Sequence, residues 1–342
     1  MTAAEQLCGW GMSLQPEGIP ESVRHSAVRH LLDGLGTAIA ARRDHVVDPA
    51  VVVATALGGP PEATVLGSRG KVSAPAAAFA NGALVHGLDF DDTHAGGLVH
   101  ATAAVLPAAL AVGEQQGASG SDVLAAAVVG YEIVCRIAMA SPHGFHARGL
   151  HATGVAGVFS AAAVTARLLG FNAATAAQAF GIAGSSSAGL LEFLSTGAST
   201  KQLHPGSASL NGILAARLAA AGATGPVTVL EGPHGIYATM SARPVDLAAI
   251  TVGLGHSWEL TRITIKPYPS CQLMHVSLDA AVAAAASERF AASDVDEVVV
   301  HVHPDSADVV CEPAETKIRP RTTYDAKFSL PWSVAALLTD GS

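Results

Sequence analysis

Apolar residues recur every three to four positions through most of the chain up to about residue 240. In residues 20–43 they form one stripe, which consists of Val23, Ala27, Leu31 and Leu35. A Pro-Glu-Ser start before this stripe and two arginines at its end are typical signals for the beginning and end of a helix. The same apolar periodicity, with a Ser-Asp start or a glycine stop, recurs in residues 119–141, 151–170 and 208–222. This part of the chain is therefore predicted to be helical.

The pattern changes near Gly253. Residues 258–266 (WELTRITIK) and 295–303 (VDEVVVHVH) are β-branched and partly alternating, which predicts strands, and residues 271–290 between them read as a helix. The expected fold is mainly α. A large all-helical domain is predicted over residues 1–252, and a smaller α+β domain over residues 253–342.

Composition excludes several classes of function. The longest uncharged run, residues 168–191, carries Asn172, Gln178 and several glycines, which makes it a poor membrane span. The net charge is −9 with no basic cluster, so nucleic acid is not an expected partner. Four widely spaced cysteines and no secretory signal favour a cytoplasmic protein without a structural zinc site.

Charge, otherwise sparse, is concentrated in residues 88–102 (LDFDDTHAGGLVHAT), between two predicted helices. Three interpretations apply to Asp89, Asp91, Asp92, His94 and His100. They form a solvated acidic loop, a metal site, or a proton-transfer site in which a carboxylate tunes a histidine. Magnesium is disfavoured because the aspartates lack the i, i+4 spacing that would place them on one helix face.

A second polar stretch, SPHGFHARGLHATG, contains His143, His146 and His151. Three histidines are a zinc ligand set only if the glycine-rich loop lets them meet. The preferred interpretation is that His151, at the start of a helix, is an acid–base group and that the other two are surface residues. No metal site is predicted.

Two further stretches carry lysines. TGASTKQLHPG holds Lys201 and His204, and the lysine beside glycine and hydroxyl residues indicates an anion site, with an ordinary surface lysine as the alternative. In KPYPSCQLMH, two prolines hold Lys266, Tyr268 and Cys271 in a rigid turn, although Cys271 also fits a buried core position. No phosphate-binding glycine motif is present, so neither a nucleotide nor an organic cofactor is expected.

Four segments in this order resemble the MmgE/PrpD family: NGALVHGLDFDDTH with the later His100, GLHATGVAG, STGASTKQLHPG and KPYPSCQLMH. The resemblance runs from about residue 5 to the end of the chain. It implies a helical domain, a smaller α+β lid domain with the active site between them, catalysis without a cofactor, and a homodimer. It also implies that the chain lacks the usual C-terminal part of the family.

The resemblance assigns site residues by motif. Catalytic roles fall to Asp91, His100, His151, Lys201 and Lys266. Substrate-binding roles fall to Thr93, Lys201, Lys266, Tyr268 and Cys271. In this interpretation His151 is the general base or acid, Asp91 orients a histidine, His100 is the second proton carrier, and the lysines bind carboxylate and stabilise an enolate.

The family acts on small di- and tricarboxylates. The resemblance therefore predicts a cofactor-independent hydro-lyase that removes a proton next to a carboxylate, for example in 2-methylcitrate. An epimerase of an aspartate-like dicarboxylate and an inactive helical scaffold are the alternatives. Cys271, where the decarboxylase branch has histidine, and Trp332, where tyrosine is common, count against decarboxylation.

Overall fold

The computed structural model describes residues 1–287 and 290–340, and these are mainly helical, as predicted. The helices are α1 (Ala3–Ser13), α2 (Glu21–Arg43), α3 (Asp48–Leu57), α4 (Ala74–His86), α5 (Ala101–Gln116), α6 (Gly120–Met139), α7 (Ala152–Leu168), α8 (Ala173–Gly184), α9 (Phe193–Thr196), α10 (His204–Ala220), α11 (Ile236–Met240), α12 (Leu247–Thr251), α13 (His275–Ser287), α14 (Pro304–Val310), α15 (Ala314–Ile318), α16 (Thr323–Ala326) and α17 (Leu330–Asp340).

Short 3₁₀ turns and two small β-pairs connect these helices. The turns are Pro16–Gly18, His146–Arg148, Thr200–Leu203, Glu259–Arg262, Gln272–Met274 and Ala292–Asp294. Strand β1 (Ala63–Thr64) pairs antiparallel with β2 (Lys71–Val72). Strand β3 (Thr93–His94) pairs antiparallel with β4 (Ile263–Thr264), with Thr93 opposite Thr264.

The chain divides into two compact units. The first comprises Met1–Leu191 and Thr200–Ile265, and the second comprises Glu192–Ser199 and the chain from Lys266 onward. The first unit therefore contains all the helices up to α12 except α9. The second unit contains α9 and α13 to α17.

The predicted long helices of the first unit form with the capping that their sequences indicate. Helix α6 begins after Ser119, whose hydroxyl accepts a hydrogen bond from the backbone N–H of Asp122, and α2 ends at Arg42 and Arg43. Helix α7 is followed by Gly170 in the left-handed conformation, at φ +69°. Among the described residues, no helix combines the length and the apolar character that a bilayer crossing requires.

Small residues let the helices of the first unit approach closely. Helix α7 packs against α5, α6, α8 and α10, and α10 packs against α4. At the crossing of α4 and α10, a Cβ on Gly82 would lie 2.6 Å from the backbone of Gly206. Since real Cβ contacts do not come this close, glycine is required here for α4 and α10 to bring their ends together.

The second unit has a small core of its own. Met274, Leu278, Val310, Leu330 and Val334 are buried together, with α13 packed against α17. The ammonium of Lys317, which is 2% exposed, donates to the backbone oxygens of Val309 and Phe328 at 2.8 and 2.9 Å. These bonds satisfy a charge that burial would otherwise penalise.

The strand predictions near the C-terminal end are largely wrong. In the described structure, residues 295–303 form no strand, and Val298, Val299 and Val300 are exposed by 49%, 66% and 36%. A β-branched run becomes a strand only when a partner supplies ladder hydrogen bonds, and no described segment pairs with it. In residues 258–266 the strand is limited to β4, because Glu259–Arg262 form a 3₁₀ turn. The predicted helix over 271–290 is α13, and Glu288 and Arg289 lie outside the described residues.

Candidate active site

The loop between α4 and α5 is buried, so its interpretation as a solvated acidic segment is wrong. Asp89, Asp91 and Asp92 are each 0% exposed. The loop leaves α4 at His86 and enters α5 after His100, which precedes the first residue of that helix. Buried carboxylates require charged or hydrogen-bonding partners, and the partners of these three differ.

Asp89 pairs with Lys201. The Lys201 ammonium donates to Asp89 Oδ1, and the lysine is only 5% exposed, so the surface-lysine alternative is also wrong. Asp89 has φ +50°, a left-handed conformation that aspartate tolerates better than most residues. Lys201 lies in the 3₁₀ turn just before α10. Its Nζ is also 3.4 Å from Nε2 of His100.

Asp91 connects two histidines. Its Oδ2 is 2.8 Å from Nδ1 of His86 and 3.6 Å from Nδ1 of His100. The His86 and His100 rings meet edge to face, with centroids 4.5 Å apart. Asp91, which was predicted to orient a histidine, contacts His86 as well as His100.

His100 is fixed by contacts on its Nδ1 side. That nitrogen is 3.1 Å from the backbone oxygen of Asp92 and 3.4 Å from the hydroxyl of Thr93. The His100 backbone N–H donates to the Thr153 hydroxyl at 3.0 Å. Because the carbonyl oxygen of Asp92 accepts only, Nδ1 carries the proton, and Nε2 presents a lone pair towards Lys201.

His151 lies at the N-terminus of α7 and faces the start of α10. Its Nδ1 is 3.2 Å from Nδ1 of His204, and its backbone N–H donates to the oxygen of Gly189 at 2.8 Å. Gly189 has φ +126°, and a Cβ there would lie 3.2 Å from Nδ1 of His204. The His151 ring stacks on His86 at 5.6 Å and lies 5.8 Å from His100.

Burial and nearby positive charge keep these histidines neutral. The pKa of His151 lies well below its ordinary value, because of burial first and the Lys201 charge second. Burial likewise lowers the pKa of His86, against the opposing effect of Asp91. The pKa of His204 falls to about 4, chiefly through burial.

Asp92 and His94 hold the loop in place. Asp92 accepts from the backbone N–H of Thr102 at 3.0 Å and from its hydroxyl at 2.5 Å, and it lies 2.8 Å from Nδ1 of His30. His94 accepts from the Gly97 N–H at Nδ1, so its Nε2–H donates to Glu259 at 3.1 Å. These contacts give Asp92 and His94 a structural role in the loop.

His143 and His146 do not join His151 in a ligand set among the described residues. His146 is half-buried, its ring is 6.3 Å from His151, and burial lowers its pKa to about 4. Instead His86, His100 and His151 come together, each offering a nitrogen within 4.8 Å of the others. A second group of the same kind consists of His86, Asp89, Asp91 and His100. These are the described residues that the arrangement offers to a metal ion.

Lys266, Tyr268 and Cys271 belong to the second unit. Lys266 is 3% exposed, the Tyr268 hydroxyl donates to Asp279 at 2.8 Å, and Cys271 packs against the second unit's core. The histidine cluster of the first unit is separate from them in sequence. It consists of His86, Asp89, Asp91, His100, His151, Lys201 and His204. The roles assigned to these three residues remain predictions.

Three residues of the cluster, Asp89, His86 and His204, carry no predicted catalytic role. Asp89 stood in the quoted loop, but its pairing with Lys201 joins positions 112 residues apart. His204 follows Lys201 by three residues, which was its only signal. His86 resembled the last polar residue of an apolar helix, and only its contact with Asp91 distinguishes it.

Comparison with known proteins places two family models on this chain. The MmgE/PrpD N-terminal domain matches residues 5–247, and the MmgE/PrpD C-terminal domain matches residues 268–342. A cis-aconitate decarboxylase of Aspergillus terreus is 31% identical over 288 residues, which cover 80% of this chain and 58% of that protein. The cis-aconitate decarboxylase of Mus musculus is 28% identical over 359 residues, covering 100% of this chain and 70% of the relative.

The human cis-aconitate decarboxylase is 33% identical over 216 residues, which cover 60% of this chain and 43% of that enzyme. The chain thus spans less than two thirds of the length of the Aspergillus terreus enzyme. The family match extends over most of the chain and includes every residue of the histidine cluster. This chain belongs to the MmgE/PrpD family.

Proposed function

We propose that the protein is a cofactor-independent lyase that acts on a small di- or tricarboxylate by proton transfer at a carbon next to a carboxylate. The observation that carries this proposal is the buried Lys201–Asp89 pair, whose ammonium also faces Nε2 of His100. A cation, Lys201, and two histidines, His100 and His151, therefore lie close together. Enolate chemistry requires this combination.

Lys201 supplies the positive charge in this proposal. A substrate carboxylate that displaces part of its contact with Asp89 gains a charge-assisted hydrogen bond in a site from which water is largely excluded. Negative charge that develops on the same carboxylate during proton removal is stabilised by the same ammonium. Lys201 thereby contributes more in the transition state than in the ground state.

His151 is the proposed general base. Its lowered pKa keeps it unprotonated at neutral pH, and its contact with His204 leaves Nε2 available. A bound polyanion raises the pKa of a neighbouring histidine, so substrate itself tunes His151 towards the pH at which it exchanges protons. His100, which faces Lys201, serves as the second proton carrier.

The names of the relatives make cis-aconitate the first substrate to test, with loss of CO₂ as its reaction. In that reaction the carbon–carboxylate bond of the CH₂ group breaks, its electron pair shifts through the double bond to form an enolate of a remaining carboxylate, and an imidazolium or ammonium delivers a proton to the carbon next to that carboxylate. In a hydro-lyase reaction on 2-methylcitrate, His151 takes the carbon proton, and the imidazolium form of His100, which a bound polyanion favours, protonates the leaving hydroxyl. Both reactions use the same groups.

A second candidate function rests on the presence of two histidines on one site. The ring centroids of His100 and His151 are 5.8 Å apart, so two proton carriers lie at the same site. An epimerase removes a proton with one carrier and returns it with the other. An aspartate-like dicarboxylate would then exchange its α-proton without net elimination.

The test is proton NMR in D₂O with cis-aconitate, citrate, 2-methylcitrate, malate and aspartate-derived dicarboxylates, each with and without EDTA. CO₂ loss or a new alkene signal, unaffected by EDTA, supports the lyase, whereas deuterium exchange without elimination selects the epimerase. His151→Ala should lower turnover at least about 100-fold. His25→Ala, on the exposed face of α2, is the matched control. A wild-type protein that binds and converts none of the panel overturns the proposal and favours the inactive scaffold.

A further inference from the structure

Three imidazoles of the cluster, those of His86, His100 and His151, place their Nδ1 atoms against hydrogen-bond partners. His86 Nδ1 is 2.8 Å from Asp91 Oδ2, and His100 Nδ1 is 3.1 Å from the Asp92 carbonyl. His151 Nδ1 is 3.2 Å from Nδ1 of His204, and either ring can donate across this contact. When His151 donates there, all three rings carry their proton on Nδ1 and an unprotonated lone pair on Nε2.

Among the residues that the structure describes, two of these Nε2 atoms are buried and have no hydrogen-bond partner. They belong to His86 and His151, which are 0% and 2% exposed. A buried polar atom without a partner costs free energy, and a ligand that accepts its lone pair relieves this cost. One nitrogen from each of His86, His100 and His151 lies within 4.8 Å of the others.

From this geometry we infer that His86, His100 and His151 form a binding site for a divalent transition-metal ion of the zinc type. Three histidine nitrogens with a fourth position open is a ligand set that Zn²⁺ and Co²⁺ accept. Binding requires the rings to close until their nitrogens are about 3.3 Å apart, since tetrahedral Zn–N bonds are about 2.0–2.1 Å long. The ion is an inhibitor in this inference, because it occupies the nitrogens that would otherwise move protons.

The surroundings of the three rings favour such an ion. Asp91 faces Nδ1 of both His86 and His100, an arrangement in which an outer carboxylate orients metal-bound histidines and raises their basicity. Asp92 and Asp91 also add negative charge here, and after burial, which is the main cause, their charges contribute to raising the pKa of the nearby Asp33 to about 6. Both effects increase affinity for a dication.

Lys201 has the opposite effect. Its ammonium is 3.4 Å from Nε2 of His100, so it repels a cation at this nitrogen. Removing the lysine charge should therefore tighten metal binding, on the order of tenfold or more. Metal binding at a non-specific surface site would not respond to the loss of the Lys201 charge. Lys201→Met is therefore the variant that best distinguishes the buried site from a surface site.

The experiment is a Co²⁺ titration of untagged, EDTA-treated protein in a non-chelating buffer without carboxylates, followed by visible d–d absorption. The wild type should bind one Co²⁺ per chain with the intense spectrum of a tetrahedral site. His86→Gln and His151→Gln should weaken binding at least about tenfold. His25→Gln is the surface-histidine control and should leave binding unchanged. Lys201→Met should strengthen it, whereas Lys71→Met, in the surface pair with Glu114, should not.

The absence of a tetrahedral spectrum would overturn the inference, and so would a spectrum that survives both His86→Gln and His151→Gln. Because a cluster variant can lose its fold, circular dichroism accompanies each titration, and Zn²⁺ should raise the unfolding temperature of the wild type itself. The inhibitory consequence rests on the proposed function and is measured separately, as loss of turnover with Zn²⁺ and recovery with EDTA. The cobalt spectrum tests metal binding independently of turnover.

Discussion

The ammonium of Lys201 donates to the carboxylate of Asp89, and both side chains are buried in the first unit. The pair joins the loop after α4 to the turn before α10. Desolvation makes such a pair costly to keep and more costly to break, because one charge without its partner remains inside the protein. A pair of this kind has consequences for stability that are separate from those for activity.

Breaking the Lys201–Asp89 pair from either side should destabilise the fold. Lys201→Met or Asp89→Asn should lower the free energy of unfolding by about 3 kcal/mol, because each removes one member of a buried ion pair. The double variant should recover part of this loss, since no lone charge remains. Urea unfolding of the four proteins measures the coupling, and additive losses would contradict it.

Acid should destabilise the protein through histidines that are buried in the neutral form. The pKa values of His146 and His204 fall to about 4, below the ordinary 6.5. Between these values the unfolded chain binds more protons than the folded chain, so stability is complete above pH 6.5 and declines as the pH falls towards 4. Each histidine contributes about 1 kcal/mol per pH unit after allowance for partial exposure.

This pH dependence is checked by urea unfolding at several pH values between 7.5 and 4.5. His204→Asn should flatten the curve, because it removes one of the titrating groups. His25→Asn, at an exposed position in α2, should leave the slope unchanged. Equal slopes for wild type and His204→Asn would contradict the argument.

The ion pair of Glu132 and Arg136 should matter for stability without entering the chemistry. The Arg136 guanidinium donates to Glu132 at 2.9 Å and to the backbone oxygens of Val252 and Ser257, each at 2.8 Å. Arg136→Met leaves Glu132 buried without its charge partner and should cost about 3–5 kcal/mol. Chemical unfolding measures this loss. If Arg136→Met unfolds like the wild type, the pair does not hold α6 to the segment from Val252 to Ser257.

The crossing of α4 and α10 should not tolerate a methyl group. Gly82→Ala places a Cβ about where the Gly206 backbone lies, so we expect a loss of about 1–3 kcal/mol and a displaced His86. Gly36→Ala is the matched control. No described atom lies within 4 Å of a Cβ there, and alanine in mid-helix should raise stability by about 0.5–1 kcal/mol. Thermal unfolding of both variants measures the two effects. Similar shifts in the unfolding temperature would contradict the close approach of α4 and α10.

Local sequence signals predicted much of what the structure contains. The 3.6-residue periodicity and the caps at Ser119 and Gly170 located α6 and α7, because such signals act within a few residues of the chain. The polar stretches around Asp91, His100, His151 and Lys201 were located in the same way. Their residue types sufficed to indicate proton transfer and the family.

The tertiary structure alone decided which of these residues meet. Asp89 rather than Asp91 pairs with Lys201, and His86 joins the cluster, because α4 and α10 cross closely at Gly82 and Gly206. No local pattern reports a contact between residues 112 positions apart. The residues Val298–Val300 show the same limit of local sequence patterns. β-branched residues favour a strand, but a strand forms only where another segment supplies the hydrogen bonds. Periodicity is a property of neighbours in the chain, whereas a site and a sheet are properties of neighbours in space.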